Sequence, residues 1–260
     1  MTTQVLNGLA VEIDGDGEPL LCIHGLGGSS NTWTPVMKAL SAFKMIRPDL
    51  PGSARSELPA GKLSIDVYVT ALERLLMSLH VEAVHLAAHS LGTIVAQHFA
   101  VRNPRMVRSL ALFGPLIAPP EAARPNVVAR AQLARAGMAA MQEIADAIVK
   151  GATSKETKQH QPAVLALIRE SVMRQSPDGY AQSCEALAEA QSAAIEEITV
   201  PTLLVTGDQD GVAPPANVAL MAKRIRGCRA VTFEGCGHWT TFEKPQACMQ
   251  ELEQFYSSVR

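Results

Sequence analysis

Ser90 stands in the segment Ala88-His89-Ser90-Leu91-Gly92, directly after the apolar run Val84 to Ala88 and directly before the helix-like run Thr93 to Arg102. A serine at the apex of so sharp a strand-to-helix turn needs very small residues two positions to either side, because the helix packs back across the strand there. Ala88 and Gly92 supply them. Taken alone, the pentapeptide is equally compatible with Ser90 capping the helix that follows, a role that needs no chemistry.

Two further segments place polar groups where strands should end. Leu20 to Ile23 is a short apolar strand running into His24-Gly25-Leu26-Gly27-Gly28. Thr202 to Thr206 runs into Gly207-Asp208-Gln209-Asp210, and Val231 to Glu234 is followed by Gly235-Cys236-Gly237-His238. Serine, acid and histidine then follow in the order 90, 210, 238, which differs from the orders in the chymotrypsin and subtilisin families. On these residues the chain resembles the α/β-hydrolase fold superfamily over most of its length. Leu116 to Glu197 fits that resemblance only as a variable insertion.

The alternation of elements agrees. Val5 to Ile13 and Leu20 to Ile23 read as antiparallel strands joined by the Asp14-Gly15-Asp16-Gly17 turn. Met45 to Arg47, Val84 to Ala88, Val107 to Phe113, Thr202 to Thr206 and Ala230 to Phe233 read as parallel strands. Between them, Ile65, Val69, Leu72, Leu75, Leu76 and Leu79 recur at helical spacing after the start signals Ser64 and Asp66. Pro214 to Arg226 and Lys244 to Ser257 supply two late helices, the second with Pro245 in its first turn. The expected class is therefore α/β, a mostly parallel central sheet flanked by helices, with ligands at the carboxyl ends of the strands. A helical lid is expected before the acid-bearing strand, so that 1–115 and 198–260 form the core and 116–197 the lid. Four lid helices are expected, over Ala123 to Ala136, Ala139 to Lys150, Pro162 to Arg174 and Gly179 to Ser192, between Pro115, Pro119 and Pro120 at the entry and Pro201 at the exit.

Bulk properties narrow the partners to small molecules. The 260 residues carry a formal net charge of −2, and Lys and Arg are scattered, so no nucleic-acid face is expected. The start Met1-Thr2-Thr3-Gln4 lacks a secretion pattern, and no run approaches the roughly 20 apolar residues of a membrane helix. Five cysteines without a CxxC pair argue against a disulfide framework, which makes a reducing cytoplasm the expected location. Cys236 lies two residues from His238 and is the thiol to watch. No set of side chains has metal-ligand spacing, and no cofactor is expected.

In the chemistry these residues imply, Ser90 is the nucleophile and His238 the base that takes its proton. Either Asp210 or Asp208 could bond the far ring nitrogen and stabilise the imidazolium; the resemblance puts the acid third after Gly207, which favours Asp210 and leaves Asp208 to hold the loop. The resemblance implies an oxyanion hole made by the backbone N–H groups of Leu26 and Leu91. His24 and His89 are expected to hold loops. Trp33, Met138, Met141, Met173, Tyr180 and Trp239 are candidates to line the substrate pocket, although ordinary packing is an equal reading for each tryptophan and the favoured one for each of the other four. Asp49-Leu50-Pro51-Gly52 resembles the superfamily's loop after the third strand, with Ala54 in place of a usual glycine, and Thr93 also stands where many relatives have glycine.

The stretch Leu167-Ile168-Arg169-Glu170 through Asp178-Gly179-Tyr180-Ala181-Gln182-Ser183-Cys184-Glu185-Ala186 resembles the lid of 3-oxoadipate enol-lactonases, which implies hydrolysis of a small ester or lactone. A substrate with a free carboxylate would need a cation in the pocket, for which Arg135, Arg169 and Arg174 are the candidates beside their reading as solvated surface. The same scaffold serves carboxylesterases, acyl-homoserine lactonases and carbon-carbon bond hydrolases. Receptors on this fold that hardly turn over their ligand form a separate class, and sustained turnover distinguishes an enzyme from them.

Overall fold

The computed structural model describes residues 2–259. Strands β1 (Thr2–Leu6), β2 (Leu9–Asp14), β3 (Glu18–Ile23) and β4 (Phe43–Pro48) come first, with a run of 3-10 turns over Ser30–Leu40 between the last two. Helix α1 (Ile65–Ser78), β5 (Val84–His89), α2 (Leu91–Arg102) and β6 (Val107–Phe113) follow. Helices α3 (Arg124–Ala134), α4 (Met138–Ala152), α5 (Lys155–His160), α6 (Pro162–Met173) and α7 (Pro177–Glu189) then intervene before β7 (Thr202–Gly207). The chain closes with α8 (Pro215–Arg224), β8 (Arg229–Phe233), α9 (Thr240–Glu243) and α10 (Pro245–Val259).

Eight strands form one sheet in the order β1-β2-β4-β3-β5-β6-β7-β8. From β4 to β8 every pairing is parallel, and β1 and β2 extend that edge antiparallel. Because side chains alternate across a strand, the sheet buries two apolar layers. Leu21, Ile23, Leu86, Ala88, Leu110 and Leu112 face α1 and α2 on one side. Leu20, Cys22, Ala87, Ala111, Phe113 and Val205 face the 3-10 run and α10 on the other. Ser64 caps α1 by accepting from the Val67 N–H, and Pro245 opens α10.

Two expectations require correction. Val5 to Ile13 is a hairpin and not a single strand, because Asn7 (φ 52°) and Gly8 (φ 79°) both turn into the left-handed region that a tight hairpin needs. Its second arm does not pair with β3: β4 lies between β2 and β3, so the turn at 14–17 links strands that are not neighbours. The insertion also holds five α-helices where four were expected. The extra one, α5, has the sequence Lys-Glu-Thr-Lys-Gln-His and no apolar stripe to announce it; its start is fixed by Ser154, whose Oγ accepts from the Thr157 N–H.

Helices α3 to α7 pack around their own apolar cluster, which contains Ala131, Met141, Ile144, Ile168, Val172 and Tyr180. Trp239, from the loop after β8, and Phe242, on α9, reach up into that cluster and tie it to the sheet. No helix among the described residues is long and apolar enough to cross a membrane.

Candidate active site

Strand β5 delivers Ser90 to the top of the sheet in a conformation few residues adopt, φ 53° and ψ −123°. Turning that sharply brings α2 back over β3. A Cβ on Gly92 would lie 2.5 Å from the His24 carbonyl oxygen and 2.8 Å from that of Ile23, so the position excludes any side chain. Ser90 makes no side-chain cap to α2, which removes the capping account of its presence. Thr93, in place of a glycine, is accommodated by donating its hydroxyl to the Ser90 carbonyl at 2.7 Å and accepting from the Leu116 N–H at 3.0 Å.

Ser90 Oγ lies 2.8 Å from His238 Nε2, and His238 Nδ1 lies 2.8 Å from Asp210 Oδ2. The loop after β7 holds Asp210 firmly: its Oδ1 accepts from the N–H groups of Val212 and Ala213, both at 2.8 Å. Burial pushes the Asp210 carboxyl up, but the adjoining His238 and these amide donors outweigh it and leave the pKa lowered to about 2. Asp208 points elsewhere, accepting from the Cys236 N–H at 3.1 Å.

The surrounding polar groups hold loops. His24 Nε2 accepts from the Leu50 N–H at 2.8 Å, so its Nδ1 carries the proton donated to the Gly25 carbonyl. His89 donates from Nε2 to the His238 carbonyl at 2.9 Å, and burial depresses its pKa to about 3. From the insertion, Ser171 Oγ donates to the Gly27 carbonyl at 2.8 Å and Gln175 Nε2 to that of Gly28 at 3.1 Å. The backbone N–H groups of Leu26 and Leu91 donate to no acceptor among the described residues. Cys236 is fully buried with its thiol pKa raised by burial, which removes it as a reactive group.

A cavity of about 530 Å³ opens above Ser90 and His238. Its walls are Leu26, Leu116, Leu187, Val212, Trp239 and the inner faces of α3 and α4. Of the six residues expected to line it, only Trp239 does. Trp33 lies under the sheet edge-on to Phe113, Met141 and Tyr180 are locked in the insertion's own cluster with Met173 against it, and Met138 is exposed on the outer surface.

The wall residues on α3 and α4 were missed. On α3 they are Asn126, Ala129, Arg130 and Leu133, and on α4 Ile144, Ala147, Ile148 and Gly151. Each set is spaced by three and four, one stripe of a helix. The signal was a second, mixed stripe beside the apolar one. Arg130 also corrects the expectation for a cation. Arg135 pairs with Glu185 and Arg169 with Asp146 on the outer surface, Arg174 is exposed, and none of the three lines the cavity. Arg130 lies against Tyr180 and Cys184 and has no salt-bridge partner among the described residues.

A family model of the alpha/beta hydrolase fold matches residues 18–245. The enol-lactonase from Burkholderia xenovorans LB400 superposes with a TM-score of 0.90 at 26% identity, covering 98% of this chain and 100% of that one. A 2-hydroxymuconate semialdehyde hydrolase from Pseudomonas sp. strain CF600 is 29% identical over 88% of this chain and 83% of its own length. The (E)-2-((N-methylformamido)methylene)succinate hydrolase of Acinetobacter baylyi is 24% identical over 94% of this chain and 92% of its own.

Proposed function

Since the chain belongs to the α/β-hydrolase fold family, we propose that it is a serine hydrolase that cleaves a small carboxylic ester or lactone through an acyl-enzyme. The unbroken run of hydrogen bonds Ser90 Oγ to His238 to Asp210 Oδ2, at the floor of a cavity, carries the reading. Ser90 Oγ attacks the carbonyl carbon while His238 Nε2 takes its proton. The ring's Nδ1–H stays bonded to Asp210, whose charge stabilises the imidazolium. The negative oxygen of the tetrahedral intermediate is received by the Leu26 and Leu91 N–H groups, which have no other acceptor among the described residues. As the carbon–oxygen bond breaks, His238 returns the proton to the leaving oxygen. Water, deprotonated by the same ring, then attacks the acyl carbon, and Ser90 leaves with the proton.

In this reading residues 1–115 and 198–260 are the hydrolase core and 116–197 the lid that closes the cavity. The wall is apolar apart from Arg130, Asn126 and Glu143, which suits a compact acyl group with one anionic end. The likeness to a semialdehyde hydrolase favours carbon-carbon bond cleavage as the second reading.

Ser90→Ala tests the proposal. Turnover of p-nitrophenyl acetate should fall by about three to six orders of magnitude in a protein that unfolds at the same temperature. Activity within about tenfold of wild type removes Ser90 as nucleophile. Wild-type release of one product per chain and no more identifies a receptor.

A further inference from the structure

Glu243 is a carboxylate at 2% exposure for which the mechanism above has no use. No cation bridges to it among the described residues; its charge is satisfied by four N–H and O–H donors. Oε2 accepts from the Gly237 N–H at 3.1 Å and Oε1 from the Trp239 N–H at 3.1 Å, the two amides on either side of His238. The other donors come from the insertion: the Ser154 N–H at 2.8 Å and Thr157 Oγ1 at 2.9 Å, both to Oε2. Between these, the His238 N–H itself donates to the Ala152 carbonyl at 2.9 Å. The fit is close, since a Cβ on Gly237 would lie 2.7 Å from that carbonyl oxygen and 2.8 Å from both Glu243 Oε1 and the Ser154 nitrogen.

We propose that Glu243 is the positioning residue of His238, and that through it the corner between α4 and α5 sets where the imidazole stands over Ser90. A buried carboxylate accepting from backbone amides forms short, strong, directional bonds, and here it grips the three-residue peptide that carries the ring at both ends. Its remaining bonds hold that peptide to the insertion. Ala152, Ser154 and Thr157 are therefore a fixed attachment of the insertion and part of the histidine's support.

The proposal rests on the serine-hydrolase reading for its kinetic arm only. The second arm is the low-field proton resonance of the His238 Nδ1–H bonded to Asp210, which is observable whether or not Ser90 is a nucleophile. Glu243→Gln puts an amide N–H against a backbone donor whichever way it is turned. Thr157→Val keeps the shape and removes the hydroxyl that donates to Glu243 and accepts from Ser154 Oγ. With p-nitrophenyl acetate, kcat should fall by about 10- to 100-fold in the first and about 3- to 10-fold in the second with KM unchanged, and the low-field resonance should broaden in both. Glu156→Ala cuts the exposed ion pair with Lys244 that joins the same two regions, and should leave kcat within about twofold of wild type. If the first variant does not fold, Thr157→Val decides alone. Thr157→Val with unchanged kcat and a sharp resonance overturns the proposal, as does a loss expressed in KM or an equal loss in Glu156→Ala. A wild-type protein without turnover overturns the enzyme reading, and the resonance then decides on Glu243.

Discussion

At the carboxyl edge of the sheet, Ser90, Asp210 and His238 are at most 8% exposed; Ser90 and Asp210 are held by bonds to a strand end or the turn just after it, and His238 by His89 at the end of β5 and Ala152 at the end of α4. The α3 and α4 walls of the same cavity are made differently. Arg130 is half-buried, Asn126 and Glu143 are exposed, and all three project from helices that pack on the insertion's cluster rather than from strand ends. The difference separates two tasks. Strand ends fix atoms to within hydrogen-bond tolerance, as proton transfer demands, whereas helix faces shape a volume and set its polarity. Changes at the sheet edge should therefore act on kcat, and changes on the helix faces on KM.

After Ser90→Ala, the largest effect expected at the sheet edge separates two aspartates that lie two residues apart. Asp210→Asn removes the charge facing the ring and replaces the acceptor of its Nδ1–H by a group that can donate, so kcat should fall by about 10⁴-fold. Asp208→Asn retains an oxygen for the Cys236 N–H, and kcat should stay within about tenfold. Steady-state kinetics on both variants decides. The reverse order would transfer the acid's role to Asp208 and break the account of the edge as a place where one bond length decides chemistry.

Burial at that edge also has a consequence for acid stability. The unfolded chain protonates His89 near its ordinary 6.5, while the folded protein holds it neutral down to about 3. Between those values the unfolded state binds the extra proton, so stability is complete above 6.5 and is lost as the pH falls toward 3. By pH 4 the loss from this one ring is about 3 kcal/mol. His24, lowered in the same direction by burial, adds to it. Asp210, lowered to about 2, loses its own contribution only below its ordinary 3.8. Urea unfolding of wild type and His89→Asn at pH 7 and pH 4 measures the effect. Wild type should lose distinctly more stability than the variant, and parallel losses would show that His89 is not held neutral.

The two regions were also unequally legible in the sequence. At the sheet edge, short apolar runs ending in polar side chains, with small residues beside them, left few arrangements, so Ser90, Asp210 and His238 stood out and the structure brings all three into hydrogen-bond contact. One sheet feature was legible and overlooked: Asn7-Gly8 is the strongest short hairpin signal, and reading through it joined β1 to β2. In the insertion, composition announces helices without saying which face meets which neighbour. Met141 and Tyr180 are as apolar as a pocket wall should be, but their stripe packs inward on α6 and α7. The cavity takes the adjoining stripe, in which Ala129 and Ala147 make room and Arg130 supplies charge. Glu243 was hidden for a related reason, because its four donors come from residues as far apart as 154 and 239.

The smallest effect tests the helix-face side of the comparison. Arg130 shares the cavity with Ser90 and has no carboxylate partner among the described residues, whereas Arg135 and Arg169 are paired on the outer surface. A substrate carboxylate reaching Arg130 would gain a charge-assisted bond worth about 1.5 to 3 kcal/mol, or roughly a 10- to 100-fold change in KM. Arg130→Ala should raise KM by that factor for a small lactone or ester bearing a carboxylate. It should leave KM for the neutral methyl ester of the same compound unchanged, and kcat for both. Arg135→Ala, which removes a surface pair, should alter neither substrate. The opposing charge of Glu143 on the same wall predicts the complementary result: Glu143→Gln should lower KM for the acid. A fall in kcat on replacing Arg130 would mean that the helix face takes part in placing the reacting atoms, and the division between the two regions would fail. An unchanged KM for the acid would leave the cavity without a carboxylate subsite and point to neutral esters and lactones as the substrates.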